Sequence, residues 1–160
     1  KTVEVDNTDA EGRLLLADAL HYAARFNPDI VIDFATLTGA CVVALGHEAA
    51  GMMGNDPDLQ TTLGKIGEKV GERVWSLPVY DEYLSYLASD WADLKNVGGR
   101  WGGAVTAGVF LKQFIPEKAS WVHLDIAGVG YMDKEHNGLP KGASGFGVIL
   151  ATTFLQDLLK

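Results

Sequence analysis

Apolar and polar residues follow each other along this chain with two periods, one of two residues and one close to 3.6 residues. The two-residue period is clearest at 121–127, where Val122, Leu124 and Ile126 alternate with polar or aromatic residues. Residues 30–32 form a continuous run of β-branched apolar residues, which is typical of a parallel strand buried on both faces. Together with shorter segments, these patterns predict strands at 3–5, 30–32, 49–54 and 121–127.

The 3.6-residue period marks the segments between these strands. From residue 13 to residue 26 an apolar stripe lies opposite a polar face that carries His21, so we expect a helix whose stripe packs on the sheet. The stripe consists of Leu15, Ala19, Tyr22 and Phe26, and it is widened by Leu16, Leu20 and Ala23. The same spacing predicts further helices at 59–70, 104–114 and 146–158. Alternating strands and helices define the α/β class. We therefore expect a three-layer sandwich with helices on both faces of a mixed, largely parallel sheet.

The composition favours a single folded domain over residues 1–160. Apolar residues make up 48% of the 160 residues, which is enough to build one hydrophobic core. The net charge of −8, without any run of Lys or Arg, argues against a nucleic-acid partner. No apolar stretch reaches the roughly 18 residues of a membrane-spanning helix. The lone Cys41 cannot form an internal disulfide, so a reducing, cytoplasmic location fits the chain.

The strongest candidate chemistry lies in residues 7–14. Asp9 and Glu11 are two residues apart, and Arg13 follows at the same interval. In an extended chain these side chains share one face, whereas residues two apart on a helix do not. A shared site therefore requires the helix to begin only around Gly12 or Arg13. Paired carboxylates repel each other unless a cation lies between them, and a divalent metal takes such hard oxygen ligands.

A structural interpretation of the same residues is the alternative. Thr8 or Asp9 would cap the helix, and Glu11 would lie in its first turn and complement the helix dipole. Arg13, whose planar guanidinium suits an anion, belongs to the catalytic interpretation. Spacing alone favours the structural interpretation, because acidic residues are common in the first turn of a helix.

A second candidate region follows the strand at 30–32. Ligands in open α/β sheets bind beyond the carboxyl ends of strands, which makes residues 36–39 a suitable place for substrate contacts, with Gly39 leaving room for a side chain. A plain strand-to-helix turn with threonine caps is the alternative. Farther along the chain, His123 and Asp125 share one face of a strand. They are either metal ligands or, as we favour, a structural hydrogen-bonded pair.

Five segments of the chain together resemble one family. Residues 7–14 read Asn-Thr-Asp-Ala-Glu-Gly-Arg-Leu, which is similar at all eight positions to the signature octapeptide of the leucyl (cytosol) aminopeptidases, the two-metal exopeptidases. Four later segments resemble further blocks of that family, in the same order, so that the resemblance covers nearly the whole chain. These segments are 33–40, 102–107, 123–128 and 141–147.

The resemblance implies a function and its cofactors. The expected reaction removes the N-terminal residue, often leucine, from peptide substrates with two divalent metal ions. Asp9 and Glu11 would be metal ligands, and Arg13 would be catalytic, holding a bicarbonate ion near the reacting water. Zinc or manganese is expected, with magnesium and cobalt as further candidates, because carboxylate-rich sites accept several of these ions.

The resemblance also implies the residues that bind the substrate. Thr36 and Leu37 would contact the peptide backbone, while Gly39 and Ala127 would shape the pocket for the first side chain. The family assembles as homo-hexamers, so the same assembly is expected for the intact protein, without any role for a membrane.

The main departure from the family is a set of residues that these 160 do not contain. The family uses an upstream lysine and aspartates as further metal ligands, and a second catalytic lysine. We therefore expect the chain to be the C-terminal portion of a catalytic domain, lacking the N-terminal domain and the upstream ligand segment, and to be inactive or nearly so by itself. Two other interpretations stay open, namely a catalytically dead structural or interaction domain of the same fold and a one-metal hydrolase.

Overall fold

The structure, a computed structural model, describes residues 1–136 and 138–159. Within these residues there are eight strands and five α-helices, together with 3₁₀ turns at Ala24–Phe26 and Asp81–Leu87. The strands are β1 (Val3–Glu4), β2 (Ile30–Ala35), β3 (Ala50–Gly54), β4 (Val74–Ser76), β5 (Leu94–Lys95), β6 (Ser120–Asp125), β7 (Tyr131–Met132) and β8 (Gly142–Ala143). The helices are α1 (Gly12–Ala23), α2 (Gly39–Leu45), α3 (Pro57–Val70), α4 (Gly103–Lys112) and α5 (Val148–Leu158).

Four strands form the central sheet, in the order β2-β6-β3-β4. β2 runs parallel to β6 from the pair Ile30–Ser120 to the pair Ala35–Asp125, and β3 runs parallel to β4. The pairing of β3 with β6 is antiparallel. The sheet is thus mixed and largely parallel, as the sequence predicts. Because β2 and β6 are parallel, their carboxyl ends lie side by side.

Helices cover both faces of this sheet. On one face α3 and α5 pack through residues such as Leu63, Ile66 and Leu150 against Leu124 of β6. On the other face α1 and α4 pack against Trp121 of β6 and form a second hydrophobic core. The buried residues of this second core are Ala17, Leu20, Leu87, Leu94, Val109, Phe110, Leu111 and Trp121. Two cores separated by one sheet are a three-layer sandwich, which confirms the predicted fold class.

The ends of α3 show how local sequence sets an element. Asp56 accepts the backbone N–H groups of Asp58 and Leu59, and Pro57 occupies the first turn, where its missing N–H costs nothing. Gly71 ends the helix with a left-handed backbone at φ 79°.

The prediction of a strand at 30–32 that is buried on both faces is only partly right. β2 is a parallel strand, but all six of its residues are half-buried. The reason is that β2 lies at one end of the strand order and has β6 as its single neighbour among the described residues.

The helix α1 is present, but its predicted apolar stripe is only partly right: Leu20 is buried and Leu16 and Ala23 are half-buried, whereas the other members are exposed. Leu15 is 69% exposed and Phe26 is 71% exposed, whereas Arg13, Ala17 and Leu20 are the buried residues. This helix carries apolar side chains around most of its circumference, so periodicity alone does not decide which face packs on the sheet. His21 is exposed, as predicted.

Over the described residues, every helix is too short or too polar to cross a lipid bilayer.

Candidate active site

Two loops meet at the carboxyl ends of β2 and β6. The first runs from β1 into α1 and carries Asp9 and Glu11, and the second joins β2 to α2. The helix α1 begins at Gly12, as predicted, but the segment before it is not extended, because Thr8 and Asp9 form a turn and Glu11 has right-handed helical backbone angles. Glu11 occupies the N-cap position without a capping hydrogen bond from its side chain. The alternative in which Thr8 or Asp9 caps this helix is therefore not what the structure shows.

Arg13 is the buried cation of this region. Its side chain is 8% exposed, and Nη1 donates a hydrogen bond of 2.9 Å to the carbonyl of Asn96. Its Nε is buried and has no hydrogen-bond partner among the described residues. Burial lowers the pKa of Arg13, while the negative charge of Asp125 acts in the opposite direction. A buried guanidinium with a donor to spare is suited to an anion that would accept from that nitrogen.

A cavity of about 510 Å³ brings most of the predicted site residues together. Asp9, Glu11 and Arg13 line it from one side, and Thr36 and Leu37 line it from the other. Gly39 and Ala127 do not line this cavity; Gly39 is the first residue of α2, and Ala127 lies two residues beyond β6. The structure thus gathers five of the seven predicted positions around one space and holds the other two beside it.

The buried carboxylate of Asp125 connects the second loop to the end of β6. Its Oδ1 accepts the backbone N–H of Leu37 at 3.0 Å, of Thr38 at 3.4 Å and of Ala127 at 3.2 Å. Its Oδ2 accepts the Thr38 hydroxyl at 2.7 Å, and that hydroxyl in turn accepts the N–H of Cys41 in the first turn of α2. One side chain therefore fixes both segments that carry the predicted substrate contacts.

The predicted hydrogen-bonded pair of His123 and Asp125 is wrong. His123 is fully buried, and its Nδ1 lies 2.5 Å from Oδ1 of Asp33 on the neighbouring strand. The other oxygen of Asp33 accepts the indole N–H of Trp121 at 2.8 Å. Residues two apart on a strand share a face but lie too far apart to bond directly, whereas the parallel register sets Asp33 beside His123.

Two residues of the site were not selected from the sequence. Asn96 and Asp125 each organise a loop, but their partners are 83 to 90 residues away along the chain. The sequence indicates Asp125 only as a metal ligand or as a partner of His123. A polar residue in an otherwise apolar strand next to a predicted site marks such a position, but this pattern does not reveal which backbone groups the side chain binds.

The carboxylates fit part of a metal site. Asp9 and Glu11 are exposed oxygen donors at the mouth of the cavity, and the unpartnered Nε of Arg13 fits an accompanying anion. Among the described residues, however, no three His, Cys, Asp or Glu side chains are grouped to hold an ion. A larger cavity of about 630 Å³, beside α3, contains none of the predicted site residues and does not change this assignment.

Comparison with known proteins identifies the class and then the family. A solved structure of a tomato leucine aminopeptidase mutant matches this chain with a TM-score of 0.92 and 44% identity, over 98% of this chain and 30% of that one. The architecture is therefore that of an α/β catalytic domain. The chain belongs to the cytosol aminopeptidase family, whose catalytic-domain model matches residues 1–152. The predicted family is thereby confirmed.

Curated relatives agree with this membership. Probable cytosol aminopeptidases of Geobacter sp. strain M21 and Nitrosomonas eutropha are each 55% identical, over 155 and 157 residues. These matches cover 97% and 98% of this chain but 31% of each relative. The chain thus spans about 31% of the length of these relatives.

Proposed function

We propose that this chain forms the Arg13-containing part of the active site of a metal-dependent leucyl aminopeptidase. The observation that carries the proposal is the cavity in which the acidic loop, the buried guanidinium and the loop after β2 meet, in a chain of this family. The substrates would be peptides, and leucine-like first residues would be preferred.

Asp9 and Glu11 would serve as metal ligands in this proposal. Their exposure leaves the carboxylate oxygens accessible, and both residues line the same cavity. Two divalent ions, zinc or manganese with magnesium and cobalt as further candidates, would polarise the scissile carbonyl when bound. Arg13 would hold bicarbonate, and its buried, unpartnered Nε supports this role.

The loop after β2 would bind the peptide. Because the N–H of Leu37 is already bonded to Asp125, the carbonyl of Leu37 is the group left to accept from a peptide. Thr36 is exposed at the cavity. A Cβ added at Gly39 would meet nothing within 4 Å, so this position leaves open space, consistent with room for the first side chain of the substrate. Ala127 would complete that pocket.

The two carboxylates alone cannot hold two like-charged ions firmly, since each ion prefers several oxygen ligands. We therefore propose that further ligands come from outside these 160 residues and that the isolated chain is inactive or nearly so. Assembly as a homo-hexamer and a cytoplasmic location belong to the same proposal; the names of the relatives support the location.

The test is hydrolysis of a leucine anilide with excess Mn²⁺ or Zn²⁺, by the chain itself and by the chain substituted for the matching third of the Geobacter relative. The isolated chain is expected to show little turnover. The restored enzyme should be active and should lose about 100-fold in rate with Asp9→Ala or Glu11→Ala. Asp18→Ala, which removes an exposed carboxylate from the outer side of α1, is the matched control and should have no effect.

The second candidate is a catalytically dead domain of the same fold. A restored enzyme that folds and assembles like the relative but hydrolyses nothing would establish that alternative. A single bound metal ion per active chain would instead indicate a one-metal hydrolase.

A further inference from the structure

Asn96 lies one residue beyond β5, and its whole hydrogen-bonding capacity is directed at the segment from β1 to α1. The residue is fully buried. Its backbone N–H donates to the carbonyl of Glu4, and its carbonyl accepts from Nη1 of Arg13. We propose that Asn96 is a positioning residue that fixes the Asp9 loop and the Arg13 guanidinium in one arrangement. The inference rests on the proposed function, because it assigns a role towards that site.

The side chain of Asn96 bonds the acidic loop at four points. Its Oδ1 accepts the backbone N–H of Asp6 at 3.0 Å and of Asn7 at 3.3 Å. Its Nδ2 donates to the carbonyl of Asn7 at 2.7 Å and of Ala10 at 3.3 Å. An amide offers two donors and two acceptor positions, so each of them is occupied by this loop. No other side chain of this size offers both two N–H donors and a carbonyl acceptor.

The loop depends on these bonds because it has little other support. β1, which precedes it, is two residues long, and the loop's other contacts are the ion pair of Asp6 with Lys95 at 3.0 Å and short-range turns centred on Asn7. Asn96 therefore holds the loop through its side chain and holds Arg13 through its backbone carbonyl. The carboxylate of Asp9 and the guanidinium of Arg13 keep one relative position as long as Asn96 holds both.

Asn55 offers a matched comparison at the opposite end of the sheet. It also bonds backbone groups through both halves of its amide, accepting the N–H of Trp121 at 2.7 Å and donating to the carbonyl of Ala119 at 3.0 Å. Asn55 follows β3, whose carboxyl end lies beside the start of β6 and therefore away from the candidate site. Substituting Asn55 tests the loss of an asparagine bridge without touching the acidic loop.

The first experiment follows Mn²⁺ binding to the 160-residue chain by paramagnetic broadening of its amide NMR signals. In the unsubstituted chain, Mn²⁺ is expected to broaden the amides around Asp9 and Glu11. Asn96→Leu keeps the backbone contacts and removes all four side-chain bonds, so the Mn²⁺ concentration for half-maximal broadening should rise about tenfold. Asn55→Leu should leave that concentration unchanged.

A second variant separates positioning from charge. Asn96→Asp keeps the size and the two acceptor contacts, but it turns an oxygen towards the carbonyls of Asn7 and Ala10 and adds a negative charge. Charge alone would strengthen Mn²⁺ binding, whereas lost positioning weakens it. Weaker binding in Asn96→Asp supports the proposal, and equal or tighter binding overturns it. Loss of the fold in both Asn96 variants, with Asn55→Leu folded, would also overturn it, because Asn96 would then serve the fold as a whole.

Hydrogen exchange without metal keeps this inference distinct from the proposed function. The amides of Asp6 and Asn7 should exchange faster in Asn96→Leu and stay slow in Asn55→Leu. Unchanged exchange in Asn96→Leu overturns the inference whatever the metal result. If exchange changes as expected but Mn²⁺ broadens no amide in the unsubstituted chain, the role of Asn96 in fixing the loop is supported, and Asp9 and Glu11 alone do not bind Mn²⁺; the proposed metal function is then decided by the restored enzyme.

Discussion

Asp125 shows at the level of one residue how the candidate site is built from the sheet. Three backbone N–H groups and one hydroxyl converge on its carboxylate, which lies fully buried at the end of β6. A buried carboxylate with several donors is stabilised, whereas removal of the acceptor would leave those donors without partners. The loops that carry Thr36, Leu37 and Ala127 are therefore held by the same group.

The sequence predicts some of these residues and not others for a physical reason. Asp9, Glu11 and Arg13 stand within five residues of each other, so their proximity follows from the local sequence, although the chain here forms a turn and the start of a helix rather than the predicted extended segment. The side chain of Asn96 holds backbone groups that are 86 to 90 residues away, and Asp125 holds those of Leu37 and Thr38, which are 88 and 87 residues away. The periodicity of the local sequence does not predict these partners, because they depend on which strands become neighbours in the fold.

Cys41 gives a pH-dependent prediction at the same scale. Burial first, and then the negative charge of Asp125, raise the pKa of its thiol to about 11. An unfolded thiol titrates near about 8.5. Between these values the folded state binds more protons than the unfolded state, so this residue's contribution to stability is complete below the unfolded pKa and is lost as the pH rises through that window.

The free energy of unfolding should therefore fall by about 2 kcal/mol more in the unsubstituted chain than in Cys41→Ala between about pH 8 and about pH 10. Urea denaturation at each pH, followed by circular dichroism, measures the difference. Parallel pH profiles for the two proteins would show that the thiol titrates normally in the folded state. Slow reaction of folded Cys41 with a thiol reagent at about pH 8 should accompany the expected result.

At the scale of elements, the sequence predicts the existence of helices better than their orientation. The helix at 13–26 was expected and is found as α1 and its 3₁₀ extension, yet the stripe that contains Leu15 and Phe26 faces outward. The direction in which an amphipathic helix faces depends on its partners. For α3, where the apolar residues Leu59, Leu63, Ile66 and Val70 form a single stripe, the same reasoning succeeds: the first three are buried and Val70 packs against them half-buried.

Two glycines of α3 give a matched prediction for that element. A Cβ at Gly64 would meet nothing within 4 Å, whereas a Cβ at Gly67 would lie 2.6 Å from the backbone carbonyl oxygen of Glu72. Gly64→Ala should raise the free energy of unfolding by about 0.5–1 kcal/mol, because alanine has the higher helix propensity. Gly67→Ala should lower it by about 1–3 kcal/mol, because the backbone after the helix must shift.

Urea denaturation of the two variants provides the measurement, with the unsubstituted chain as reference. Both variants replace glycine by alanine in the same helix. Opposite signs of the change in the free energy of unfolding would therefore be due to the contact of Gly67 with Glu72. Equal effects at both positions would mean that the turn after α3 is free to move away from the helix.

At the scale of the whole molecule, β2 forms one open edge of the central sheet. β2 has β6 on one side, and all six of its residues are half-buried. The exposed side chains of Leu15 and Phe26 flank it from one layer, and those of Leu155 and Leu158 occur on the helix of the other layer. A groove of about 530 Å³ runs between β2 and α5. An open strand edge beside apolar helices is a surface on which another strand can pair.

The 160-residue chain should therefore self-associate through this edge. Sedimentation velocity over a range of concentrations is expected to show dimers or larger species, because burial of apolar surface and pairing of strand edges both favour contact between copies. Phe26→Glu combined with Leu155→Glu should shift the chain towards monomer, since each charge would have to be buried in the contact. Val43→Glu, on α2, is the matched control: Val43 is 90% exposed, and α2 packs on α4 and β3, so its association should not change. A chain that stays monomeric throughout, or an equal shift with Val43→Glu, would show that the β2 edge is not the contact surface.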